Sequence, residues 1–278
     1  TGGRTIALGT SANVTSRAVT ATTLADGQTL TLTGDKAVTL TSADADLAVG
    51  AYSGAVTATV DNANAATLTI GTGATTLNTS GAGTLTVNGD AGGTAALTIQ
   101  GGDADTGAVT VADYESTGTL TLGNSLNAGA VAITTKGTGG RTIALGTSAN
   151  VTSRALTATT LADGQTLTLT GNKALTLSTV SADVNAEAYA GALTATVTNA
   201  AAATFQTGTA ASTLTAAGAA ALTIDADAGS GTAGALTIAG DGGGAVSVTG
   251  VEANVTLDDG FTGTGALSIT TGNASMTL

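Results

Sequence analysis

Carboxylates and amides spaced one residue apart in glycine-rich breaks are the side chains here best suited to chemistry. Asn88-Gly89-Asp90 and Asp225-Ala226-Asp227 each follow an apolar-Thr-apolar stretch, and Asp227 takes the place of Asp90 in the second of two long sequence copies. Asp44-Ala45-Asp46 and Asp103-Ala104-Asp105 keep the same spacing, and Asp258-Asp259 adds an adjacent pair. Side-chain oxygens at i and i+2 of a turn can share a hard cation such as Ca²⁺, which is held by oxygen ligands. The candidate calcium ligands are therefore Asn88, Asp90, Asp225, Asp227, Asp103, Asp105, Asp44, Asp46, Asp258 and Asp259. The competing reading is that Asp and Asn cap these turns through the adjoining backbone. The glycine-rich calcium nonapeptide is not present intact, and Gly101-Gly102-Asp103-Ala104-Asp105 is only a loose echo of it.

Other chemistry is narrower. The chain has no Cys and no His, which removes thiolates, disulfides, the commonest general base and the commonest transition-metal ligand. Lys, Tyr, hydroxyls and carboxylates show no paired arrangement, so the expectation is that the chain is not an enzyme. Gly229-Ser230-Gly231-Thr232-Ala233-Gly234 spells a dinucleotide-type glycine pattern but precedes a strand instead of opening a helix. Tyr52 and Tyr189 stand at equivalent places, where they either stack on a sugar ring or pack locally. Asn13, Asn150 and Asn254 fit the glycosylation pattern, as chance allows in so Asn- and Thr-rich a chain.

The elements that must position these residues are repeats. Residues 1–40 return at 138–177 with three differences: Val19 becomes Leu156, Asp35 becomes Asn172 and Val38 becomes Leu175. Ala51-Tyr52-Ser53-Gly54 matches Ala188-Tyr189-Ala190-Gly191 at the same offset. The chain thus reads as two copies of one unit, residues 1–137 and 138–278. It ends on Met276-Thr277-Leu278, which reads as the first strand of a further copy, so it is expected to be a segment of a longer protein.

Within each copy the recurring element is apolar-Thr-apolar, as in Leu85-Thr86-Val87, Leu97-Thr98-Ile99, Leu222-Thr223-Ile224 and Leu236-Thr237-Ile238. Strict alternation is the strand period and puts aliphatic residues on one face and Thr on the other. Strand starts at 85, 97, 109, 120, 131 and 143 are spaced evenly, with Gly, Asn and Asp between them expected to supply the positive φ of tight turns. The chain is 42% hydrophobic but only 2% aromatic, which suits a thin core repeated many times. The fold class expected is all-β, a parallel β-solenoid of short strands, with tandem β-sandwich domains as the alternative. Spacing leaves two or three strands per coil open.

Formal net charge is −12. Residues 41–135 and 178–278 hold no Lys or Arg and eight acidic residues each. Phosphate contacts need a basic face, so nucleic acid is excluded as a partner. No apolar run is long enough for a transmembrane helix. Six of the seven basic residues fall in the two near-identical forty-residue blocks, and the expectation is salt-sensitive docking of these blocks on an acidic region of another copy or another subunit.

Blocks such as Asp26-Gly27-Gln28-Thr29-Leu30-Thr31-Leu32-Thr33-Gly34 and Gly83-Thr84-Leu85-Thr86-Val87-Asn88-Gly89-Asp90, with the Ala/Thr/Gly/Leu composition, resemble the Thr- and Ala-rich S-layer proteins and large repetitive adhesins secreted by Gram-negative bacteria. Autotransporter passenger domains have a similar texture. The resemblance implies an extracellular, cell-surface location, a β-solenoid, calcium-assisted order and self-assembly. The expected function is a structural, self-assembling surface protein, an S-layer or filament segment, partnered by copies of itself and by cell-surface polysaccharide. The stalk of an adhesin is the alternative. An ice-binding Thr array and a polysaccharide-acting β-helix are minor ones.

Overall fold

A computed structural model describes residues 3–10, 16–20, 27–43, 45–89, 92–101, 107–126, 128, 130–146, 153–158, 161, 164–229, 232–240, 242–263 and 265–272. These residues form strands and turns and no helix. The chain divides into two compact units, Thr1–Thr134 with Gly146–Thr152, and Thr135–Leu145 with Ser153–Leu278.

The first unit holds β1 (Arg4–Ala7), β2 (Ser16–Thr20), β3 (Thr29–Thr33), β4 (Ala37–Ala43), β5 (Asp46–Ala48), β6 (Val56–Val60), β7 (Ala66–Thr69), β8 (Thr75–Thr79), β9 (Leu85–Asn88), β10 (Leu97–Gly101), β11 (Val109–Tyr114), β12 (Leu120–Leu122) and β13 (Val131–Thr135), the last residue of which is assigned to the second unit. Odd strands pair with odd in one sheet and even with even in another. Every register given for them is parallel, for example Thr67 to Thr86 and Thr76 to Thr98.

The second unit repeats this plan with β14 (Arg141–Ala144), β15 (Ser153–Ala158), β16 (Thr166–Thr170), β17 (Ala174–Val180), β18 (Asp183–Asn185), β19 (Leu193–Val197), β20 (Ala203–Gln206), β21 (Ser212–Ala216), β22 (Leu222–Asp225), β23 (Leu236–Ala239), β24 (Val246–Val251), β25 (Val255–Leu257) and β26 (Leu267–Thr271). Alternate strands therefore belong to one sheet, which settles two strands per coil. The parallel pairing identifies the β-solenoid and rules out tandem antiparallel sandwiches. Coil length varies: the step from Thr39 to its rung partner Thr57 is short, and the step from Thr5 to Thr31 is longer.

The alternation read from the sequence is what makes the core. Leu40, Ala58, Leu77, Ile99 and Leu122 follow one another in register on the inner face of the even strands, and all are buried. Leu30, Leu47, Leu68, Val87 and Val111 do the same on the odd strands. Leu177, Ala195, Leu214 and Ile238 form such a ladder in the second unit. Each rung buries one or two short aliphatic side chains per strand, and full burial of a Leu or Ile stabilises by about 1.5–3 kcal/mol. Stability is thus spread along the ladders and does not concentrate at one centre.

Two expectations need correction. Strand β14 begins at Arg141 and not at residue 143, and Arg141 takes an inward position opposite Leu167. Two of the glycines between strands also work differently from the positive-φ role expected of them, a role that others such as Gly92, Gly93 and Gly137 do take. Gly89 and Gly123 are not among the positive-φ residues; a Cβ on Gly89 would lie 2.9 Å from the Tyr114 Cα, and one on Gly123 2.7 Å from the Gln100 Cβ. They are glycines because consecutive coils approach closely at the corners, not because the turn is left-handed. The further-copy strand read at Met276-Thr277-Leu278 lies outside the described residues.

Candidate functional site

The candidate calcium ligands divide into three groups. Asp44, Asp90, Asp103 and Asp105 lie outside the described residues. Asn88 ends β9 and points outward in a column between Thr69 and Ala112. The remaining carboxylates are described, and most hold backbone amides. Asp225 Oδ1 accepts the Asp227 N–H at 3.2 Å, and Asp227 Oδ1 accepts the Gly229 N–H at 2.8 Å. Asp258 Oδ1 accepts the Gly260 N–H at 3.1 Å, next to exposed Asp259. Asp46 Oδ1 accepts the Thr67 N–H at 2.7 Å from the neighbouring strand. The i to i+2 bonds are Asx turns, the competing reading given above. Among the described residues no three His, Cys, Asp or Glu side chains gather as a metal-binding group would.

Asp46 also lines a depression of about 160 Å³ with Thr29, Leu47, Ala48, Thr67 and Thr69. It opens where Ala48 stands in register between Thr31 and Thr69, a short side chain between two longer ones. A pocket for a drug-sized ligand is about 300–1,000 Å³, so this one suits water or a small ion in size.

The tyrosines pack locally. Tyr52 and Tyr189 are almost wholly buried, and their hydroxyls donate to the Lys36 and Lys173 carbonyl oxygens. Tyr114 donates to the Gly118 carbonyl at 2.8 Å. All three plug corners and present no ring face to a sugar. Burial first, and the Asp35 carboxylate second, raise the Tyr52 phenol pKa above its ordinary value, with Arg17 acting against them.

No family model matches this chain, nor does any curated protein or solved structure.

Several basic side chains are engaged at home. The buried Arg141 guanidinium donates to the Gly139, Gly140 and Lys136 carbonyls, the Gly140 bond being 3.1 Å. Arg17 Nε donates to the Leu8 carbonyl at 2.6 Å, and Lys36 pairs with Asp35 at 3.3 Å. The forty-residue blocks thus use much of their positive charge internally, which weakens the expectation of docking through them. Asn254 is exposed immediately before β25, whereas Asn13 and Asn150 lie outside the described residues.

Sequence reasoning passed over a buried amide pair. Asn62 and Asn199 are 2% and 1% exposed and hold equivalent places in the two sequence copies. Asn62 Nδ2 donates to the Asn64 carbonyl and, at 3.0 Å, to Thr84 of the next coil, while Asn199 Nδ2 donates to Ala201, Ala220 and Ala221. The signal available in the sequence was an Asn kept at the repeat offset where its neighbours Asp61 and Asn64 are replaced by Thr198 and Ala201.

Proposed function

We propose that this chain is a structural, self-associating segment of an extracellular surface protein, an S-layer or filament component. The observation that carries this reading is the register. Rung after rung pairs like with like, aliphatic inside and Thr outside, and the polar groups that could do chemistry are mostly committed to backbone. Such an array gives rigidity and a periodic surface, and repetition of that kind suits lattices and fibres. The surface location rests on the compositional resemblance to Thr- and Ala-rich S-layer proteins. Calcium belongs to this reading as an ion at the acidic turns. Asp225 with Asp227, and Asp258 with Asp259, offer two carboxylates each, fewer than the roughly six to eight oxygens Ca²⁺ takes, so the other ligands would be water or groups of a second copy.

Negative-stain electron microscopy of the purified chain in millimolar calcium, beside a chelated control, tests the proposal. Sheets or filaments are the expected result, and their loss on chelation would assign the acidic turns to calcium. Isolated particles in both conditions would defeat self-assembly and favour an adhesin stalk.

A further inference from the structure

One outward face in each unit is built to a common pattern. In the first unit Thr39, Thr57, Thr76, Thr98 and Thr121 stand in register on five successive even strands. In the second unit Thr176, Thr194, Thr213, Thr237 and Thr256 stand in register on five successive odd strands. Two residues before each Thr is Ala37, Ala55, Ala74, Ala96 or Thr119 in the first unit and Ala174, Ala192, Ala211, Ala235 or Asn254 in the second. Two residues after, the side chains are again uncharged for most rungs: Thr59, Asn78 and Gln100 in the first unit, Thr196, Thr215 and Ala239 in the second.

Charge divides the two sheets of each unit. Four acidic residues fall within described strands: Asp46 in β5 and Asp113 in β11 of the first unit, Asp183 in β18 and Asp225 in β22 of the second. All four are on the other sheet, whose outward rows also stack Thr, as in Thr67, Thr86 and Thr110 or Thr204 and Thr223, but carry these carboxylates among them. Asp35, Asp61 and Asp258 sit in turns at the borders of the ladder faces.

From this segregation we infer that the Ala/Thr face of each unit is where a second copy of this chain docks, sheet upon sheet. This rests on the self-association reading above and names its surface. A chain of net charge −12 repels its own copies, and these faces are where two copies can meet without bringing strand carboxylates together. Outward Ala and Thr are short, so two such faces can approach closely and interdigitate as identical ladders do in dry sheet stacks. Each chain carries the face twice, which lets a contact propagate beyond a pair.

Area sets how strong one contact is. Five rungs about 4.8 Å apart and three outward positions about 7 Å apart cover roughly 500 Å². A stable pairwise complex buries about 800 Å² per partner. A single face therefore binds weakly, and assembly depends on both faces acting together, which makes it steeply concentration-dependent.

The chain has no Cys, so single cysteines report contacts cleanly. Thr76 and Thr213 are the middle rungs, and a middle residue lies near the axis of a two-fold contact and meets its own counterpart. Thr76→Cys, Thr213→Cys and, as control on the other sheet of the first unit, Thr86→Cys are oxidised under assembly conditions. Disulfide dimers from Thr76→Cys, from Thr213→Cys or from their mixture, at least ten-fold faster than from Thr86→Cys, are expected. Raising salt from about 0.1 M to about 1 M shortens the Debye length from about 10 Å to about 3 Å. Assembly of the unmodified chain should rise several-fold with it, whereas docking through the basic blocks would fall. Cross-linking of Thr86→Cys at an equal rate, or none at the face positions while the chain assembles, overturns this inference alone. Failure of the unmodified chain to assemble at any salt overturns the self-association reading itself. Retention on an insoluble uncharged polysaccharide that Thr76→Glu abolishes, without face cross-links, overturns the inference in favour of a glycan surface.

Discussion

The Asp46 carboxylate accepts the backbone N–H of Thr67 at 2.7 Å, and the Asp183 carboxylate accepts that of Thr204 at the same distance. Each Asp opens a three-residue strand, β5 or β18, and bonds the next strand of its sheet where a side chain extends the ladder. A hydrogen bond of this kind on a partly exposed carboxylate contributes about 1 kcal/mol. Asp46→Ala should lower urea-unfolding stability by about that much, and Asp46→Asn, which keeps an acceptor oxygen, by less than half of it. Equal losses for the two variants would show that the charge, and not the acceptor, matters here.

The Asn62 and Asn199 amides tie one coil to the next from inside. Removing the amide takes one donor from the Asn64 carbonyl and one from the Thr84 carbonyl, which keeps the Ala66 N–H, and two lost hydrogen bonds cost about 1–3 kcal/mol together. Asn62→Ala and Asn199→Ala should each lose stability in that range by denaturant unfolding. If the two sites act independently the double variant adds the losses, as distant positions do.

Gly107 and Gly83 make close stacking of coils possible at one corner. A Cβ on Gly107 would overlap the Gly83 carbonyl oxygen, and neither glycine has a positive φ. Gly107→Ala must push two coils apart, at a cost of about 1–3 kcal/mol by analogy with overpacking. Gly27→Ala is the contrasting case: nothing lies within 4 Å of its Cβ position, but its φ is 73°. Hydrogen exchange should show loosened protection of Leu85 and Val109 for the first variant and only local change for the second.

Much of this architecture was legible because the strand period is strict. Leu85, Leu97, Val109, Leu120 and Val131 start strands where alternation places them, and Thr76 or Thr98 faces out because Leu77 or Leu97 faces in. Coil size was not legible, since equal strand spacing is compatible with either two or three sheets. Arg141 hid the start of β14, because an Arg at an inward position breaks the apolar code while three carbonyls accept its guanidinium. The acidic pairs were legible as turns; that Asp225, Asp227 and Asp258 cap backbone amides depends on side-chain direction, which spacing does not carry.

Ser212 takes an inward position between Leu193 and Leu236, and its hydroxyl is buried without a hydrogen-bond partner. Thr75, at the matching place in the first sequence copy, donates to the Gly73 carbonyl at 3.3 Å. Ser212→Ala should therefore raise stability, by about 1 kcal/mol once the desolvation of the hydroxyl is relieved. Thr75→Ala, which also loses a methyl group from the ladder, should lower it. Thermal melting of the two variants distinguishes them, and a loss at Ser212→Ala would mean that its hydroxyl has a partner in solution.

Tyr52 gives the fold an alkaline limit. Its phenol is buried, its hydroxyl donates to the Lys36 carbonyl, and Asp35 stands near enough to oppose a phenolate. All of these favour the neutral form, so the folded-state pKa lies above the unfolded one. A group raised in this way contributes stability that is complete below its unfolded pKa, about 10 for Tyr, and is lost as pH rises through the folded value. Folding stability should thus fall as pH climbs above about 10. Tyr52→Phe loses the hydrogen bond at every pH, which lowers stability near neutrality by about 1 kcal/mol, but it also removes this contribution to the alkaline decline. The gap between the parent chain and Tyr52→Phe should narrow steadily as pH is raised, measured by denaturant midpoints. A gap that stays constant from neutrality to high pH would show that the Tyr52 phenol ionises equally in the folded and unfolded chain.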